Sequence, residues 1–198
     1  YVSRLMMSEV LYIFDFDDTL AMTDSHVRVI KSNGTVQRLN SRSFAEYRPS
    51  PGDKVDFSEF NRAEGSLILN TVNSMEQAIS DYGIENVYVV TARDDHEPVE
   101  EFLLSMDVSA PVVIATAGSA GKSTWLSRTL REKDYTRVIV YEDCRKNISM
   151  LRDTVADSSS ELGKNIEYSA VCILPGGEQK IFESTLRDYI RKYIKLIL

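Results

Sequence analysis

Three observations in the sequence predict an α/β fold with a doubly wound, mainly parallel sheet of five strands. First, five short runs, at residues 10–14, 87–90, 112–115, 137–141 and 168–174, are almost continuously apolar rather than alternating. Strands covered on both faces have this character, because neither face meets water. Second, segments with helical period separate most of these runs, which implies right-handed crossovers. Third, the polar residues closing the runs are chemically related, and open α/β sheets gather their chemistry just beyond the carboxyl ends of strands.

The elements follow in chain order. After the first strand, Asn33-Gly34 lies between two β-prone stretches and predicts a hairpin with a two-residue type I′ turn over residues 27–39. This hairpin should overhang the end of the first strand. Pro49, Pro51 and Gly52 mark the following stretch, to about Asn61, as loop. Ile68, Val72, Met75, Ile79 and Tyr82 predict a helix that Gly83 terminates. Pro98 opens a second helix, Trp125, Leu126 and Leu130 mark a third, and Ile148, Leu151 and Val155 a fourth. The Ser-rich run 157–163 is expected to be a surface loop, and Phe182 to Ile197 a long C-terminal helix.

Length fits one domain, over residues 8–198, with a hairpin-and-loop insertion at about 24–62 and no large cap domain. The N-terminus lacks the apolar centre and cleavage site of a signal peptide, and a start at Met6 or Met7 is expected. No stretch approaches the roughly 18 apolar residues that span a bilayer. Cys144 and Cys172 have no metal-type spacing and fit buried, reduced thiols of a cytoplasmic protein. The net charge of −7 argues against coating nucleic acid by charge alone. Locally, however, Arg28, Lys31, Arg38, Arg42, Arg48 and Lys54 make the insertion basic.

The first strand ends in Asp15, with Asp17 and Thr19 beyond. The second ends in Thr91, followed by Arg93. The third leads through a small-residue loop to Lys122, and the fourth ends in Glu142-Asp143. Phosphoryl transfer needs such a set. A phosphate dianion repels an attacking anion, so a hard divalent cation on carboxylate oxygens must cancel charge, and Mg²⁺ suits a few such ligands. Asp15 is placed to attack phosphorus, Asp17 to serve as acid and base, and Thr91 and Lys122 to hold phosphoryl oxygens. Asp143 completes the metal site. Arg93 is placed either to touch the phosphate or to pair with Asp94, Asp95 or Glu97.

These motifs, LYIFDFDDTL, VYVVTAR, Lys122 and VIVYEDCRKN, resemble in order those of the haloacid dehalogenase (HAD) superfamily of phosphohydrolases. The resemblance spans residues 10–174. It implies a Rossmann-like core, an aspartyl-phosphate on Asp15, acid/base chemistry at Asp17, and Mg²⁺ held by Asp15, Asp143 and the Asp17 backbone carbonyl. Aspartate at position 17 implies the phosphatase rather than the dehalogenase branch. Glu142 departs from the usual Gly or Asp, which gives it a supporting role behind the metal ligands. Asn147 stands where many members carry an acid.

Thr91-Ala92-Arg93 with Glu142-Asp143 also resembles the phosphatase half of polynucleotide kinase 3′-phosphatases. With the basic hairpin, this implies a nucleic-acid end or nucleotide as substrate; a small metabolite or a phosphoprotein is the alternative. Two other classes compete. One is a P-loop-like kinase on Gly118-Ser119-Ala120-Gly121-Lys122-Ser123-Thr124. That loop has two residues, not the required four, between its first glycine and Gly-Lys, and Thr116 stands where Gly is needed. The other is a phosphate-binding protein with a lapsed site, which the retention of Asp15, Asp17, Thr91, Lys122 and Asp143 disfavours.

Overall fold

The structure is a computed structural model that describes residues 9–182. In chain order its elements are β1 (Glu9–Phe14), β2 (Ala21–Thr23), β3 (Val27–Ile30), β4 (Val36–Leu39), α1 (Ser41–Glu46), β5 (Lys54–Asp56), β6 (Gly65–Leu67), α2 (Leu69–Tyr82), β7 (Val87–Thr91), α3 (Glu97–Ser105), β8 (Val112–Ala115), α4 (Ser119–Glu132), β9 (Tyr135–Glu142), α5 (Arg145–Leu162), β10 (Glu167–Ile173) and β11 (Gln179–Phe182). The central sheet runs β11-β10-β9-β1-β7-β8, parallel except for the last pairing of β10 with β11.

Side chains alternate across β1, and both faces are apolar. Leu11 and Ile13 face a core that Trp125, Leu126 and Leu130 of α4 and Ile148, Leu151 and Val155 of α5 complete. Phe14 belongs to the opposite core, with Val72 and Met75 of α2 and Phe102 and Leu103 of α3. This double cover is why the strands read as unbroken apolar runs. Each such side chain, fully buried, contributes about 1.5–3 kcal/mol.

Among the described residues the sheet has six strands where five were expected. The sixth, β11, is a short antiparallel edge strand, and Gln179-Lys180-Ile181-Phe182 gives it no apolar run. Phe182 therefore belongs to a strand, and the remainder of the expected C-terminal helix lies outside the described residues, as do Met6 and Met7. The Ser-rich run 157–163 is not a loop, since α5 continues to Leu162 and stops at Gly163 in the left-handed conformation. Ser158 extends the buried stripe of Ile148, Leu151 and Val155 by one turn, and this packing outweighs the modest helix propensity of serine.

The insertion is also more ordered than expected. The hairpin exists, as β3 against β4, but its turn is not type I′. Gly34 N–H bonds Lys31 C=O and Lys31 N–H bonds Thr35 C=O, and only Gly34 has positive φ. That pattern is a three-residue loop, in which Asn33 instead accepts the Thr35 N–H through its side chain. The stretch expected as loop holds α1, with Asn40 as its N-cap, and β5, which joins the hairpin to make a three-stranded sheet. Val27, Val29 and Phe60, with Leu39, Phe44, Tyr47 and Val55, give this small sheet its own apolar cluster. Strands β2 and β6 form the antiparallel stem by which the insertion leaves and rejoins the core. Among the described residues no helix is long and apolar enough to cross a membrane. Cys172 is buried, whereas Cys144 is only half-buried, and both are free thiols.

Candidate active site

The carboxyl edge of the parallel sheet gathers most of the expected residues. Asp15 follows β1 directly, and its N–H continues the ladder to Tyr141 C=O at 3.0 Å. The chain then turns tightly. Phe16 C=O accepts the N–H groups of Thr19, Leu20 and Ala21, and Asp18 takes positive φ. Asp18 is half-buried, and burial, opposed by Arg42, raises its pKa.

Two charge clusters follow. In the first, the buried Lys122 ammonium bonds Asp15 Oδ1 at 2.7 Å and Glu142 Oε2 at 2.8 Å. Lys122 comes from the first turn of α4, where Gly121 packs so closely that a Cβ would lie 2.0 Å from Thr116 O. Asp143 adjoins this cluster, and carboxylate oxygens of Asp15, Glu142 and Asp143 lie within 4.8 Å of one another. Burial, and then Glu142, push the Asp15 carboxyl up to about 8, against the pull of Lys122. Burial and Asp15 push Asp143 up to about 6. Burial also raises Glu142, opposed by Lys122. For Lys122, burial works against the charge, but Asp15 and Glu142 outweigh it and hold the ammonium above its ordinary range.

In the second cluster, Arg93 grips Asp17 through Nε (2.9 Å) and Nη2 (2.8 Å), and the Thr23 hydroxyl bonds Asp17 Oδ1 at 2.6 Å. The remaining N–H groups of Arg93 reach Phe60 C=O, Arg62 C=O and Ser25 Oγ, and its guanidinium lies over the Phe16 and Phe60 rings. All five donors are thus engaged within the protein. Of the two readings of Arg93, pairing with a nearby acid is the one seen. Its partner is Asp17, not Asp94, Asp95 or Glu97. Thr91 is fully buried; its hydroxyl accepts the Arg93 N–H at 3.2 Å and makes no direct hydrogen bond to Asp15 or Lys122.

The donor set suits a hard cation. All three candidate ligands offer carboxylate oxygen, and Asp15 Oδ2 carries no hydrogen bond among the described residues. Glu142 is already committed: Lys122 holds Oε2, while the Asn147 amide and the Cys144 N–H hold Oε1. Asp15 and Asp143 are therefore the freer ligands.

Sequence reasoning missed Thr23, Ser25 and the site role of Arg42. Arg42, on α1, bonds Asp143 Oδ2 at 3.0 Å and Ile173 C=O at 3.1 Å. Only its place in the basic insertion hinted at this. The same insertion spends much of its charge internally, as Arg28 pairs with Asp56, Lys31 with Asp53 and Arg38 with Glu59. The glycine-rich segment before Lys122 is similarly committed. The N–H groups of Thr116, Ala117 and Gly118 bond carbonyls of residues 91–93, so they are not turned toward a phosphate as in a P-loop. No family model, curated protein or solved structure matches this chain.

Proposed function

We propose that this protein is a Mg²⁺-dependent phosphomonoester hydrolase of the HAD type, working through an aspartyl-phosphate on Asp15. The observation that carries this reading is the buried Asp15–Lys122–Glu142 cluster with Asp143 beside it, at the carboxyl edge of a parallel sheet. A carboxylate set deep beside an ammonium, with one oxygen unbonded, is arranged as a nucleophile with its charge partner in place.

In this reading Asp15 Oδ2 attacks phosphorus, and the bond to the leaving oxygen breaks. Asp17 gives that oxygen a proton, then takes one from the water that attacks phosphorus and releases phosphate and the Asp15 carboxylate. Lys122 holds a phosphoryl oxygen while staying in reach of Asp15, and the Thr91 hydroxyl is a second candidate donor. Mg²⁺ would be held by Asp15, Asp143 and the Asp17 carbonyl, and supplies charge neutralisation of the phosphoryl group. Arg93 orients Asp17 rather than touching substrate.

The insertion acts as a flap whose helix α1 reaches the site. Because three of its basic residues are paired within it, support for a nucleic-acid end as substrate rests on the Thr91-Ala92-Arg93 and Glu142-Asp143 motifs more than on charge. A screen with Mg²⁺ of nucleotides, sugar phosphates, phosphopeptides and 3′-phosphorylated oligonucleotides tests the reading. Hydrolysis of at least one class is expected, and release of phosphate from none of them, or equal release with chelator, contradicts it.

A further inference from the structure

Two arginines reach the site, Arg93 at Asp17 and Arg42 at Asp143, and they differ in what they have left to offer. Arg93 is 4% exposed and has no N–H to spare. Arg42 uses Nε on Asp143 and one Nη2 N–H on Ile173 C=O. Both N–H groups of Nη1 and one of Nη2 have no partner among the described residues, and the side chain is 27% exposed. A partly exposed fork of unspent donors is suited to a phosphate, which arginine binds in bidentate fashion.

We infer that Arg42 is the substrate-phosphate clamp of this site, and that it exchanges Asp143 for phosphoryl oxygens when a divalent cation takes Asp143. The inference rests on the phosphatase reading above for its ligand. Its physical basis is charge. Asp15, Glu142 and Asp143 bring three carboxylates together, against Lys122 and Arg42. Without a cation, Arg42 is the counter-charge of Asp143. A divalent ion on Asp143 supplies that charge instead, and the guanidinium loses its reason to stay. The main chain need not move, because Arg42 lies in the first turn of α1, which Asn40 caps by accepting the Ser43 N–H. Rotation of one side chain turns the fork toward the phosphate, so the insertion contributes a substrate contact that the core lacks.

The test is calorimetric binding to the whole chain, of Mg²⁺ in phosphate-free buffer and of inorganic phosphate in excess Mg²⁺. Arg42→Ala is expected to weaken phosphate binding on the order of 10- to 100-fold, as loss of charged hydrogen bonds does. The same variant should bind Mg²⁺ more tightly, since a competing cation is gone. Arg42→Lys keeps charge without the fork and should fall between wild type and Arg42→Ala for phosphate. Arg38→Ala, removing a cation paired with Glu59 in the same insertion, should change neither. If Arg42→Ala does not fold, Arg42→Lys decides alone. Wild-type phosphate affinity in the folded variant, or weakened Mg²⁺ binding, overturns the inference. If wild type hydrolyses an aryl phosphate while the variant keeps its phosphate affinity, this inference falls alone. If phosphate binds through Arg42 but no ester is hydrolysed, the phosphatase reading falls and this one stands. A wild type that binds no phosphate overturns both.

Discussion

Arg93 holds both carboxylate oxygens of Asp17, at 2.9 and 2.8 Å, in a pocket floored by the rings of Phe16 and Phe60. The same guanidinium bonds two carbonyls of the insertion. One side chain thus fixes Asp17 and ties the insertion to the loop that carries it.

Arg93→Lys should therefore lower kcat about 10- to 100-fold, the scale of a misplaced acid/base, with KM for an aryl phosphate changing little. An ammonium cannot reproduce the two parallel bonds. If KM rises instead while kcat holds, Arg93 binds substrate directly.

Lys122 lies between two buried carboxylates. Lys122→Met leaves Asp15 and Glu142 facing each other without a cation, and breaking a buried pair costs about 3–5 kcal/mol. Denaturant unfolding should show this loss, and Mg²⁺ should restore more stability to the variant than to wild type. A cost below about 1 kcal/mol would mean that water reaches the cluster.

Metal-free stability should depend on pH in a stated direction. Asp15 titrates near 8 and Asp143 near 6 in the folded chain, both above their ordinary value of 3.8. The folded state therefore binds more protons than the unfolded one between these values, and stability falls as pH rises from about 4 to about 8. Lys122, raised above its ordinary range, keeps its charge throughout this window. Melting temperature in chelator should fall across this interval, less steeply in Asp15→Asn. Equal slopes in the two proteins would remove Asp15 as the cause.

Gly121 serves packing rather than phosphate binding. A Cβ there would sit 2.0 Å from Thr116 O, so the first turn of α4 would have to move, and Lys122 with it. Gly121→Ala should lower the melting temperature and weaken phosphate binding together. An unchanged melting temperature would show that the helix start has room to shift.

Much of this was legible in the sequence because burial leaves a strong pattern. The five parallel strands are covered on both faces, so their apolar runs declare them, and Asp15, Thr91 and Glu142 mark their carboxyl ends. Edge and insertion elements leave weaker marks. Strand β11 is two polar residues followed by two apolar ones, α1 is 6 residues long, and the Ser-rich end of α5 carries only Ser158 as a buried mark. Arg42 was unreadable as a site residue for a different reason. Its contacts with Asp143 and Ile173 cross 101 and 131 residues of chain, and no local pattern encodes such a meeting. Arg93 was legible as a site residue, but which acid it holds depends on the same long-range folding.

In the proposed mechanism Asp15 attacks phosphorus with Mg²⁺ at its side. Hydrolysis of an aryl phosphate by wild type and Asp15→Asn, each with Mg²⁺ and with chelator, tests it most directly. Turnover is expected only in wild type with Mg²⁺, with a loss of about 10³-fold or more in the variant, as for removal of a catalytic nucleophile. Turnover by Asp15→Asn at the wild-type rate, or wild-type turnover indifferent to chelator, would contradict it.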